Sequence, residues 1–176
     1  NTLEVRATEA ESELEAVRDE LVKVRENLSA ITTLDELTGC YNESHFKEVL
    51  LQHSAMSERG SYEFTVAVLQ VDQFNHIVDN HGLASANETL QLFTRIVKAA
   101  LREVDVVSRL GSDIFGLLLS GASEEDAVMI IHRISQLISQ IKIKDDDDLH
   151  VTASGGITCF HGTESTEDLI AHASKA

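Results

Sequence analysis

The stretch up to Ile31 carries the plainest hydrophobic pattern in the chain. Apolar side chains stand at Leu3, Ala7, Ala10, Leu14, Val17, Leu21, Val24, Leu28 and Ile31, in steps that alternate four and three. This spacing is a heptad repeat, which lays an apolar seam along one side of a helix. Glu, Arg and Lys dominate the other positions, and no Gly or Pro interrupts them. One helix over residues 1–31 would be about 45 Å long. With Leu14, Leu21 and Leu28 at a and Val17, Val24 and Ile31 at d, Glu13 and Glu20 fall at g and Arg18 and Arg25 at e. A parallel coiled coil would then set each Glu against an Arg of the other strand. Each exposed pair contributes under ~1 kcal/mol, but together they favour the parallel register. Leu at a with β-branched residues at d does not select two strands. Self-association is expected, with a dimer as the simplest number. A long amphipathic helix packed on its own domain is the other reading.

After Thr33 the pattern changes to short elements. Asn42 is placed to cap a helix running through Phe46, Val49, Leu50 and His53, and Gly60 ends that region. Phe64–Val71 is an apolar, β-rich run with no polar side chain between Thr65 and Gln70, which predicts a central strand. A short helix follows around Phe74–Asn80 and breaks at Gly82. Helical spacing resumes over Asn87–Arg102. Val104–Arg109 and Ile114–Leu119 predict a hairpin around Leu110-Gly111-Ser112-Asp113. Ser123 is a helix cap, with Glu124, Glu125 and Asp126 suited to the first turn of a helix reaching Ile141. Leu149–Phe160 predicts another strand, and Ser165 or Thr166 starts a last helix. Helices between strands, with one hairpin, predict an α/β or α+β sandwich on a single, mostly antiparallel sheet. The expected division is 1–32 for the helix and 33–176 for the domain.

Composition narrows the function. The chain has 176 residues, of which 43% are hydrophobic, enough for a proper core. Its net charge of −16 opposes a nucleic-acid or membrane-surface role. No apolar stretch approaches a membrane span, and no signal-peptide pattern opens the chain. Cys40 and Cys159 fit no metal or redox spacing, so a reduced, cytoplasmic setting is expected. The pattern stops at Lys175-Ala176 inside a helix, so a piece of a longer protein is expected. The run Asp145–Asp148 lacks the Gly and Glu of a calcium loop and reads as a solvated connection. The eight histidines show no ligand spacing. Tyr41 and Phe46 read as core residues.

Four blocks occur in a telling order. They are Asp35-Glu36-Leu37-Thr38-Gly39-Cys40-Tyr41-Asn42, Val71-Asp72-Gln73-Phe74 with Asp79 and Gly82, Arg109-Leu110-Gly111-Ser112-Asp113-Ile114-Phe115, and Val151-Thr152-Ala153-Ser154-Gly155-Gly156-Ile157. From Asp35 to Ala176 the chain resembles the GGDEF domain family, and the leading coiled coil is common there too. The resemblance implies a nucleotide-cyclase-like fold. It also implies a dimer that condenses two GTP into cyclic di-GMP, with divalent metal held by carboxylates.

Measured against that pattern, the catalytic set is depleted. The strand carboxylate of the family falls on Gln70. In the signature turn Gly111, Asp113 and Phe115 match, whereas the second Gly is Ser112 and the Glu is Ile114. The guanine readers fall on Val78 and Asn87, and the Lys after the Phe is Asn75. Asp113 is the residual metal-type carboxylate; Asp72 is the wrong register, pinned by Phe74. No cofactor is expected, with Mg²⁺ only if a nucleotide binds. Arg102-Glu103-Val104-Asp105 matches the family's R-x-x-D inhibitory site, so Arg102 and Asp105 are the candidate cyclic-di-GMP ligands. As a plain structural feature the same residues would close a helix and open a strand. The expectation is a catalytically degenerate regulatory module, joined to other domains of its protein such as an EAL phosphodiesterase. The alternatives are a cyclic-di-GMP receptor, a weakly active diguanylate cyclase, and a GTP sensor, the last opposed by Val78 and Asn87.

Overall fold

The computed structural model describes residues 14–23, 32–60, 62–143 and 146–175. It groups into two units, residues 1–33 and residues 34–176. In the first, residues 14–23 form a helix, α1. Its heptad positions Leu14, Val17 and Leu21 are exposed within the single chain. The rest of the heptad pattern lies outside the described residues.

The second unit runs β1 (Tyr41–Asn42), α2 (Glu43–Glu58), β2 (Phe64–Val71), α3 (Phe74–Ala100), β3 (Val106–Arg109), β4 (Ile114–Ser120), α4 (Glu124–Ile138), β5 (Lys142–Ile143), β6 (Asp146–His150), β7 (Ala153–Cys159) and α5 (Thr166–Lys175). Five strands form a sheet in the order β1-β3-β4-β2-β7. Only β1 pairs in parallel, with β3; the other neighbours are antiparallel. The mixed sheet is flanked by helices, as the alternation of elements predicts.

Strand periodicity of two explains the layering. Along β2, Ala67, Leu69 and Val71 belong to one core with Phe115, Leu117 and Leu119 of β4, Leu90, Phe93 and Val97 of α3, and Ile134 and Ile138 of α4. The intervening Phe64, Val66 and Val68 join Leu118, Phe46 and Leu50 of α2, and Leu169 and Ala173 of α5. Both faces of β2 are therefore covered, which is why its sequence is a nearly unbroken apolar run. Gly155 of β7 is forced by close approach, since a Cβ there would lie 2.0 Å from the Val68 carbonyl oxygen.

The caps act as their residue types predict. Asn42 Oδ1 accepts from the His45 N–H at 2.9 Å, and Ser123 forms a capping box with Asp126 at the start of α4. At α5, Ser165 Oγ accepts from the Asp168 N–H at 3.1 Å. Gly82, at φ 78° and ψ 166°, kinks α3 into two helical segments, so helical structure resumes before Asn87.

Three expectations need correction. The strand read as Leu149–Phe160 is two strands. His150 pairs with Lys142 in a separate two-stranded sheet, whereas Ala153 pairs with Val71 in the main one. Asp146–Asp148, read as a loop, lies within β6. Helix α4 ends at Ile138 and not Ile141, with Ser139 as its cap residue. Apolar runs do not reveal which strand they pair with, and this one is shared between two partners.

Candidate active site and Arg102 cleft

The hairpin β3–β4 presents the signature turn, and β1 brings a second loop beside it, because Asn42 stands opposite Arg109. That loop is ordered by its own side chains. Asp35 Oδ1 accepts from the Thr38 N–H at 2.9 Å and from its hydroxyl at 2.6 Å. Gly39 takes φ +63°, which an L side chain resists, and its N–H reaches the Asp35 carbonyl at 2.8 Å.

Arg109 ties the two loops together. Its Nη1 lies 3.3 Å from both Asp35 carboxylate oxygens. Its Nε donates to the Gly111 carbonyl at 3.0 Å and its Nη2 to the Ser112 carbonyl at 2.6 Å. Burial pushes the Asp35 carboxyl up, but the Thr38 donors and the Arg109 charge outweigh it. The net result lies below the ordinary 3.8. Asp35 and Arg109 are positions whose role the sequence motif alone did not disclose.

Within the turn, Gly111 and Ser112 are exposed, Asp113 and Ile114 half-buried, and Phe115 buried. Phe115 anchors the turn against Phe93, with ring centroids 4.6 Å apart. Ile114, at the family's Glu position, packs on the core that contains Phe46 and Phe64. Asp113 accepts from Gln70 Nε2 at 2.9 Å on Oδ2 and from Ser112 Oγ at 2.7 Å on Oδ1. Asp72 does not join this group; it accepts from the Thr152 hydroxyl at 2.6 Å.

A magnesium-type cation needs several oxygen lone pairs directed at one point. Around Asp113 the neighbouring side chains direct an amide N–H and a hydroxyl proton at the carboxylate, so the set as arranged does not fit the ion. Among the described residues no group of three or more His, Cys, Asp or Glu is placed to hold a metal. At the base-reading positions, Val78 and Asn87 are both half-buried on α3. Val78 packs against the core, as do Leu37 and Phe74.

Arg102 and Asp105 lie at the other end of β3. Asp105 Oδ2 accepts from the Arg102 N–H at 2.9 Å, and Oδ1 from the Ser120 N–H at 3.0 Å. Its carboxylate is thus the joint between the end of α3 and the end of β4, and this turn delays β3 to Val106. The Arg102 side chain is exposed. Both residues line a cleft of about 320 Å³ with Lys98, Tyr41, Leu101 and Val107. Lys98 Nζ donates to the Gly39 carbonyl at 2.6 Å across this cleft. Phe46 is core, as read, but Tyr41 is 36% exposed and belongs to the cleft. The alternation that buries Cys40 and Asn42 turns Tyr41 outward.

A family model described as "Diguanylate cyclase, GGDEF domain" matches residues 32–176. The chain belongs to the GGDEF domain family. Among its relatives, diguanylate cyclase DgcP of Pseudomonas aeruginosa is 30% identical over 143 residues, which are 81% of this chain and 21% of DgcP. Cyclic di-GMP phosphodiesterase NbdA of the same organism is 28% identical over 166 residues, 94% of this chain and 21% of NbdA. The chain therefore spans about a fifth of the length of these two curated relatives. The crystal structure of diguanylate cyclase SiaD from P. aeruginosa, in complex with its activator SiaC, superposes with a TM-score of 0.78. That match covers 99% of this chain and 70% of SiaD at 27% identity. As a GGDEF domain the chain has its place in cyclic-di-GMP signalling, and its two free cysteines, Cys40 and Cys159, take no part in the signature turn. Among the described residues no helix is long and apolar enough to cross a membrane.

Proposed function

We propose that this GGDEF domain is catalytically degenerate and works as a regulatory, dimerising module in the cytoplasm. The observation that carries the reading is the Gln70 amide hydrogen-bonded to Asp113. The family's chemistry asks for carboxylates at both places, to hold the ions that neutralise triphosphate charge. A neutral amide supplies no charge, Ile114 packs half-buried against the core, and Val78 offers a guanine base no hydrogen bond. The heptad pattern of residues 1–32 supplies the dimerising segment, and residues 33–176 the domain that responds to it. Coupling to a further domain, such as an EAL phosphodiesterase, is supported by a relative named as a phosphodiesterase that aligns with nearly the whole chain.

Incubation of the purified protein with GTP and Mg²⁺ or Mn²⁺ is expected to leave GTP unchanged. Accumulation of cyclic di-GMP at the rate of an intact family member would show a working cyclase, and slow accumulation a weak one. For the helix, Leu21→Ser with Leu28→Ser is expected to turn a dimer into a monomer by sedimentation, with the domain still folded. A wild type that sediments as a monomer at high concentration removes the dimerising role.

A second reading is favoured by the Arg102 cleft: reception of cyclic di-GMP. The exposed guanidinium is a forked donor suited to a guanine edge or a phosphate, and Tyr41 offers a ring for stacking. Asp105 then serves chiefly by fixing the main chain that carries Arg102.

A further inference from the structure

Among the described residues, the two side chains that donate to Asp113, Gln70 and Ser112, stand where this chain departs from the family pattern. Gln70 stands in β2, directly opposite Ile114 of β4, which places its amide next to Asp113. Ser112 precedes Asp113 in the turn. One donor reaches Oδ2 and the other Oδ1, so the two carboxylate oxygens are taken by two different elements. The main chain closes the arrangement, since the Asp113 carbonyl accepts from the Val71 N–H at 3.0 Å.

We propose that Gln70 and Ser112 together form an internal replacement for a divalent cation, locking the signature turn and excluding metal from Asp113. A carboxylate only accepts hydrogen bonds, so it draws the nitrogen end of the Gln70 amide and the proton of the Ser112 hydroxyl toward itself. Both present partial positive charge where a cation's full charge would sit. A cation entering here would displace two hydrogen bonds and meet the positive end of the amide dipole. It would gain one carboxylate in return, a single negative charge for a divalent ion that otherwise keeps its waters. Neither substitution suffices alone. A glycine at position 112 has no hydroxyl to give, and a carboxylate at position 70 would repel Asp113 unless a cation lay between them.

The lock rests on the degenerate reading of the same turn and adds a regulatory consequence to it. The turn keeps one arrangement whether or not Mg²⁺ or GTP is present. The module therefore transmits its partner domains' signals without a bias from the nucleotide pool.

The test uses Mn²⁺ alone, without nucleotide, read by calorimetry and by the thermal unfolding midpoint. The wild type is expected to show no saturable heat and no shift of the midpoint. Gln70→Asp combined with Ser112→Gly is expected to unfold at a lower midpoint without metal and to recover on adding Mn²⁺, with saturable binding. Gln70→Glu with Ser112→Gly is the second version should the first fail to fold. Saturable Mn²⁺ binding by the wild type that Asp113→Asn abolishes would overturn the proposal. So would folded double variants that ignore the metal. GTP turnover is scored separately: a wild type that binds Mn²⁺ yet makes no product sinks the lock and leaves the degenerate reading standing.

Discussion

The two polar regions at opposite ends of β3 have taken different courses. At the signature turn, the polar groups are turned onto one another. Arg109 is spent on Asp35 and two turn carbonyls, and Asp113 on Gln70 and Ser112. At the Arg102 cleft, Asp105 is committed to two main-chain N–H groups, but the Arg102 side chain reaches outward beside Lys98 and Tyr41. The same fold thus keeps one region satisfied internally and leaves the other with charge to offer. A residue can match a motif while its side chain is already hydrogen-bonded within the chain.

The largest effect that sharpens this contrast should come from Asp105→Ala. It leaves the exposed Arg102 N–H and the half-buried Ser120 N–H without their acceptor, and an unmade bond to a charged carboxylate costs ~1 kcal/mol or more. A loss of about 2–3 kcal/mol in chemical denaturation is expected. Asp105→Asn keeps one accepting oxygen and should lose about half as much. If both variants are as stable as the wild type, Asp105 is not the joint described and its carboxylate is available to a ligand.

Arg109→Ala should follow, at about 2 kcal/mol, since it removes a half-buried ion pair and two carbonyl contacts at once. The Thr38 donors, and after them the Arg109 pair, set an acid dependence against the cost of burial. The Asp35 carboxyl titrates below its ordinary 3.8 in the folded chain, so its contribution is present above that value and is lost as pH falls through the lower, folded value. Arg109→Ala should therefore flatten the stability curve below about pH 4 and leave it parallel to the wild type at neutral pH. An unchanged acid limb would show that the pair does not hold the two loops together.

Arg102→Ala carries the smallest structural effect, within about 0.5 kcal/mol of the wild type, because the side chain is exposed. Its effect belongs to binding. Removing a forked, charged contact should weaken cyclic di-GMP about tenfold or more, and Arg102→Lys should weaken it too, since an ammonium lacks the planar fork. Calorimetry that finds equal affinity in Arg102→Ala would reduce the cleft to a structural corner.

How far the sequence disclosed this arrangement differs between the regions. The β2 run, the hairpin and the caps at Asn42 and Ser123 were legible because each rests on local periodicity or one side-chain bond. That Gln70 and Ile114 stand where the resemblance implies carboxylates was legible as well. What Gln70 contacts was not. The Gln70–Asp113 contact spans two strands and depends on the register that sets Gln70 against Ile114. Ser112 stood out only as the residue in place of the second Gly, whereas it donates a hydrogen bond to Asp113. Tyr41 looked like core because of its aromatic ring, whereas it stands 36% exposed between the buried Cys40 and Asn42.

The most direct test sets the two regions side by side in one titration series. Calorimetry with GTP and Mg²⁺, followed by chromatography of the mixture, reads the signature turn; calorimetry with cyclic di-GMP reads the cleft. No heat and no product are expected from GTP, and cyclic di-GMP is expected to give heat that disappears in Arg102→Ala. Saturable heat from GTP and Mg²⁺, abolished by Asp113→Asn and accompanied by cyclic di-GMP in the mixture, would contradict the degenerate reading.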